Sequence, residues 1–308
     1  MVSKMDLSSI QSNKTAVAGV IEALLLVALV SIIISTIQLV YIPEIMEQKE
    51  AEHMDEVENQ FSHLKSVIDL QCQAKETGPI STAITLGSRE LPYFVTARAF
   101  GRLHHIPEEL SNNNITISNA SGKIKQFNLS SIEYESVNAY YLNQNFILEA
   151  GGVLLKQDDG GEAMKIHPPV YFEKTNDGVN TTIHVNWTLY NFSVLGNKNV
   201  AEGYKGSYIR TQIRSNQNAL QTYPYENVNF LNISTDYYEA WNRSLNWLKD
   251  QTNSENNITI QKIDDQNLVY IKINDEDQEK MNLKVNIEVV DINVQIGIGT
   301  IMQYPNKN

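Results

Sequence analysis

The run AVAGVIEALLLVALVSIIISTIQLVYI, residues 16–42, carries a single charge, Glu22. At about 1.5 Å of rise per residue a helix of this length reaches roughly 40 Å, more than the ~30 Å hydrocarbon core of a bilayer requires. A helix that is apolar all round cannot be the surface helix of a water-soluble fold. A secretory signal would have an apolar core of only about 7–15 residues ending at a small-residue site; here the run continues to Tyr41. The expectation is one retained transmembrane helix, with the rest of the chain on one side of it.

Charge sets the side. Lys4 and Lys14 precede the run, whereas Glu44, Glu47, Glu50 and Glu52 follow it with only Lys49 among them. An excess of basic residues marks the cytoplasmic flank. Residues 1–15 are therefore expected inside, as a short N-terminus or leader, and everything past residue 42 outside the cell membrane. The net charge of −12 in 308 residues argues against nucleic acid and against a basic grip on anionic lipid; the bilayer is the expected partner through the apolar helix alone. Cys72 is the only cysteine, which excludes an intrachain disulfide and a thiolate metal cluster. The glycosylation pattern N-x-[ST] occurs beyond the helix at Asn114, Asn119, Asn128, Asn180, Asn186, Asn191, Asn232, Asn242 and Asn257. Asn13 also matches but falls on the cytoplasmic side.

After Pro43 the pattern becomes amphipathic. Met54, Val57, Phe61, Leu64 and Ile68 are spaced 3, 4, 3 and 4, one stripe of a helix. Proline can kink a helix without ending it, so one long, bent helix is expected, with residues 43–76 as an amphipathic stem closed by Gly78-Pro79. Residues 77–308 read as a β-rich exported domain. FILEAGGVLLK is a hairpin in which Gly151-Gly152 supplies the positive φ angles of a two-residue turn. TTIHVNWTL puts Ile183, Val185, Trp187 and Leu189 on one face; Asn191 breaks the phase, implying a strand end or bulge near Tyr190. In MNLKVNIEVVDINVQIGIGTIM the apolar phase flips at Val289-Val290, implying a bulge or a crossing between sheets. One helix interrupts the strands, with Asp236 and Glu239 resembling a capping pair and Tyr238, Trp241, Leu245 and Leu248 as its stripe. The class is α+β: a long N-terminal helix, then an antiparallel β-sandwich-like domain with one short helix.

No catalytic constellation is legible. His53, His63, His104, His105, His167 and His184 are scattered, with no H-E-x-x-H spacing. His104-His105 read as loop or surface residues whose side chains point apart. No G-x-S-x-G elbow and no phosphate-binding glycine loop occur. The acidic stretch Asn274, Asp275, Glu276, Asp277 and Glu279 lacks the glycine and the terminal glutamate of a calcium loop, and Asp158-Asp159-Gly160-Gly161 reads as a turn. No enzyme activity, cofactor or metal is expected. Glu22 stands out, because a carboxylate in a membrane helix is costly and by default functional; it lies near the cytoplasmic interface, which leaves both snorkelling and pairing open.

Lys14-Thr15 followed by AVAGVIEALLLVALVSIII resembles the N-terminus of archaeal type IV pilin and archaellin-like proteins. There a basic-small dipeptide precedes a processing site, and an Ala/Val-Ser-x-Val-Ile-Gly-like start opens the filament helix. Ala16, Val17, Val20 and Ile21 match that start; Ala18 stands for Ser, Gly19 for Pro and Glu22 for Gly. The resemblance implies a processing site at Lys14, Thr15 and Ala16, and a membrane-anchored subunit or minor pilin that meets other pilin-like subunits through its helix. In family members that use a glutamate, it is fifth in the mature chain and neutralises a neighbour's new terminal amine. Glu22 is the candidate assembly residue, seventh after cleavage behind Thr15 and fifth after cleavage behind Val17. The second reading is an anchored adhesin or carbohydrate-binding module that does not assemble.

Overall fold

A computed structural model describes residues 7–75, 78–88, 99–178, 180–196, 198–214, 220–252, 257–274 and 281–297. The chain is α+β, with one long N-terminal helical rod and a β-rich region in three sheets. The rod comprises α1 (Leu7–Thr36), a π-helical turn (Ile37–Tyr41) and α2 (Ile42–Ala74). Pro43 is the second residue of α2, one position past the π turn. A proline ring collides with the carbonyl four residues back. One wide turn relieves that collision, and Ile42 N–H accordingly reaches back five residues to Ile37 O. The helix ends at left-handed Lys75 (φ 52°), before the expected Gly78-Pro79 stop.

The strands are β1 (Ile80–Thr85), β2 (Phe100–Ile106), β3 (Asn114–Asn119), β4 (Gly122–Asn128), β5 (Ser131–Val137), β6 (Gln144–Glu149), β7 (Gly152–Gln157), β8 (Glu162–Ile166), β9 (Val170–Asn176), β10 (Thr181–Val194), β11 (Val200–Gly203), β12 (Gly206–Ile213), β13 (Leu220–Tyr225), β14 (Phe230–Ser234), β15 (Ile258–Ile263), β16 (Leu268–Ile273) and β17 (Met281–Ile296). Helix α3 (Tyr238–Asp250) lies between β14 and β15. The first sheet runs β1-β12-β17-β10-β9, with β13 also on β17; the second runs β11-β2-β5-β6-β7-β8 and the third β15-β16-β14-β3-β4. This differs from the expected antiparallel two-layer sandwich, most clearly because the long central strands β10 and β17 pair in parallel.

Those two strands explain the phase flips. Their register is unbroken from Thr181↔Met281 to Val194↔Val294, so neither strand bulges or ends at Tyr190 or Val289. The buried face changes at paired positions because two cores lie on opposite faces of one sheet. Ile183, Val185, Trp187, Leu189, Leu283, Val285 and Ile287 enter a first core with the third sheet and α3. Tyr190, Phe192, Val290, Ile292, Val294 and Ile296 enter a second core with α2. The second sheet also serves both cores: Phe146, Leu148, Val153 and Leu155 face α2, while Ile147 and Leu154 face the first core.

The predicted stripe on α2 is buried throughout, and it extends N-terminally to Met46 and Ile42. Polar side chains fasten the same helix. Glu50, fully buried, accepts backbone N–H bonds from Ala139 (3.1 Å), Tyr140 (2.7 Å) and Tyr141 (2.7 Å). Gln60 accepts from Thr85 N (2.8 Å), and Gln71 donates to Thr211 O (3.1 Å) while accepting from Thr211 Oγ1 (2.8 Å). The striped face of the segment expected as an amphipathic stem thus packs into the second core, while its other face is exposed.

Two local expectations need correction. The β6–β7 turn is Ala150-Gly151 (φ 48° and 85°), with Gly152 already paired to Glu149. A Cβ on Gly152 would approach Met164 Sδ to 2.9 Å, which accounts for that glycine by packing instead. Tyr237, not Asp236, caps α3 and does so without a side-chain bond; Glu239 instead pairs with Lys262 and Arg243. Residues Asp275, Glu276, Asp277 and Glu279 of the acidic stretch lie outside the described residues.

Candidate functional site

From residue 17 to Tyr41 every side chain is exposed; burial begins at Ile42. This apolar rod is continuous with a helix embedded in the second core, long and apolar enough to cross a membrane and compatible with a single anchor. Two of its hydroxyls bond within the helix, Ser31 Oγ donating to Val27 O (2.8 Å) and Thr36 Oγ1 to Ile32 O (2.9 Å). Hydrocarbon demands that satisfaction, since it offers polar groups no partner. Glu22 is exposed on the rod, and among the described residues it has no hydrogen bond or ion pair within this chain. The backbone at Lys14, Thr15 and Ala16 is helical and belongs to α1; their side chains lie outside the description.

The sequon asparagines divide by exposure. Asn128 and Asn180 are exposed at strand ends and turns. Asn114, Asn119, Asn186, Asn191, Asn232 and Asn242 are half-buried. Asn191 is engaged by Asp291 (3.0 Å) and Ser130 (3.2 Å), and Asn186 by Asn286 (2.7 Å). Asn257 is buried, its Oδ1 bonded by Lys174 Nζ (2.8 Å).

Buried titratable groups gather where the second sheet meets α3. Glu149, fully buried, accepts from Asn113 Nδ2 (2.5 Å), Thr235 Oγ1 (3.2 Å) and Trp241 Nε1 (3.2 Å). Burial pushes its carboxyl up to about 7 against those three donors. Glu133 is raised by burial as well. His104 and His105, expected in a loop or on the surface, are buried in β2 and point apart as adjacent strand residues must. His105 Nε2 meets Phe192 O (3.0 Å), and His104 faces Glu133. Desolvation depresses both imidazoles below their usual value. His63 and His184 remain on α2 and β10, and His167 stacks on Trp247 at 4.2 Å. Cys72 is half-buried, its thiol pushed up to about 12 by burial, which suppresses thiolate chemistry.

Sequence reasoning missed Glu50, Glu149 and the His104–Glu133 pair. Their partners are backbone N–H groups or residues on other strands, so no local spacing announces them. An open cavity of about 340 Å³ is lined by Glu108, Glu109, Phe127, Asn128, Tyr223 and Asp291 among others. Comparison with known protein families, curated proteins and solved structures finds no match to this chain.

Proposed function

We propose that this chain is a pilin-like surface protein, held by residues 17–41 with its N-terminus cytoplasmic and its β-rich region outside, and that it assembles laterally through that helix. One observation carries the reading. A single continuous helix is exposed from residue 17 to Tyr41, with Glu22 its one charge there, and is then built into a folded core from Ile42. A helix meant only as a tether needs no such rigid coupling. A filament subunit does, because packing between helices must fix the orientation of the outer domains. The one-helix-then-β order and the Lys14–Ile21 start support the pilin-like assignment. The same orientation assigns any carbohydrate to the exposed Asn128 and Asn180 before the buried Asn257, which glycopeptide mapping reads directly.

Glu22 tests the assembly. On this reading it pairs with the terminal amine of a neighbouring processed subunit in low dielectric. Glu22→Gln leaves that amine unpaired, a loss on the order of 3–5 kcal/mol, enough to abolish lateral contact. The expected result is loss of cross-linked oligomers at unchanged monomer level and unchanged membrane insertion. Unchanged cross-linking contradicts pairing and favours the anchored binding module. For that second reading the cavity beside Phe127 and Tyr223 is the specific observation, since aromatic faces flanked by carboxylates and amides suit a sugar.

A further inference from the structure

One face of the second sheet carries a set of metal-ligating atoms drawn from two strands. β2 and β5 are antiparallel neighbours, with His104 opposite Glu133 and Arg102 opposite Glu135. Residues two apart on a strand share a face, so His104, Glu133 and Glu135 project to the same side. His104 Nε2 lies 4.0 Å from Glu133 Oε2, beyond hydrogen-bond reach. Its Nδ1 is buried with no partner at all, although the residue is only 9% exposed. A buried imidazole nitrogen without a partner is an unmet demand, while Nε2 is the nitrogen that faces Glu133.

Glu133 is held through its other oxygen. Oε1 accepts from Ser131 Oγ (2.7 Å) and Tyr237 OH (3.4 Å), leaving Oε2 turned to the histidine. One ligand atom each from His104, Glu133 and Glu135 lies within 4.8 Å of the other two. A triangle with sides of 4.8 Å has corners about 2.8 Å from its centre, so each atom needs to move inward by roughly 0.7 Å to reach a metal–ligand bond of about 2.1 Å. Glu135 is half-exposed and free to make that adjustment. Its present partner, Arg102 Nη1 at 3.7 Å, is independently held by Glu202 through a 3.0 Å contact to Nε, so Glu135 can turn away without stranding the guanidinium.

We propose that His104, Glu133 and Glu135 bind a divalent first-row transition cation. One imidazole with two carboxylates suits zinc, manganese or ferrous iron. The histidine disfavours calcium and magnesium, and the absence of sulfur from the set disfavours cuprous copper. The exposed side of Glu135 provides the entry path and leaves coordination positions for water.

Calorimetric titration of the detergent-solubilised full-length protein with zinc chloride, after stripping with chelator, tests the assignment. The expected result is saturable uptake of one zinc per chain, weakened at least tenfold in Glu135→Gln and abolished in His104→Gln. His63→Gln, on the outer side of α2, controls for adventitious imidazole binding and should leave uptake unchanged. Glu135 is half-exposed, so its Gln variant keeps the test valid even where His104→Gln fails to fold. Absence of saturable uptake, or uptake of equal strength in Glu135→Gln, overturns the site.

Discussion

Phe61→Ala is expected to destabilise the folded chain by about 3–5 kcal/mol, the usual cost of emptying a fully buried aromatic site. Phe61 sits at the middle of the α2 stripe, has no exposed surface and packs on Phe146 of β6 with ring centroids 6.0 Å apart. The lost area, the cavity left behind and the lost ring contact all act in the same direction. Leu70→Ala on the same helix is the control, because Leu70 is 62% exposed and its truncation should stay within about 0.5 kcal/mol. Urea unfolding of the two variants in detergent reads the difference. A loss below about 1 kcal/mol for Phe61→Ala would mean that α2 stands off the β-rich region as a mere stem.

A second large effect is expected from Glu149→Gln, and its sign depends on pH. Burial raises the Glu149 carboxyl from 4.5 to about 7 in the folded chain. The folded state therefore holds this proton over a range where the unfolded state has released it. Wild-type stability should fall as pH rises from about 4.5 to 7, by about 3 kcal/mol from this group, and stay at the lower level above pH 7. Glutamine keeps an acceptor for Thr235 and Trp241 and cannot ionise. Relative to wild type, the variant should therefore gain about 3 kcal/mol between pH 4.5 and 7. Glu162, another raised carboxyl, tilts both proteins alike, whereas Glu133, whose charge acts on that of Glu149, belongs to the measured difference. Denaturation of chelator-stripped protein at pH 4.5 and pH 7.5 measures it. A difference independent of pH would show that Glu149 is ionised at little cost in the folded state.

Much of the fold was legible because it follows from one-dimensional periodicity. The apolar run, the stripe from Met54 to Ile68 and the alternation from Ile183 to Leu189 each report a local period against a local environment. The flip at Val289-Val290 was legible as an event but not as a cause. A bulge and a change of covered face leave the same trace in sequence, and only the pairing of β10 with β17, a hundred residues away, separates them. Parallel pairing over that distance has no local signal, so the three-sheet arrangement stayed hidden behind a plausible sandwich. The polar sites were the least legible. Glu50 looks like one of several flanking acids, yet it alone is buried against three backbone N–H groups. His104 looked like half of an uninformative pair until β5 brought Glu133 opposite it.

The central proposal is that one continuous helix crosses the membrane up to Tyr41 and carries a folded, outward-facing region from Ile42. Protease added to intact cells expressing the chain with a tag at each end tests it most directly. The account predicts digestion of the region beyond Pro43 and loss of the C-terminal tag, while the N-terminal tag survives on a membrane-embedded fragment. A C-terminal tag that stays protected until the membrane is broken would contradict it.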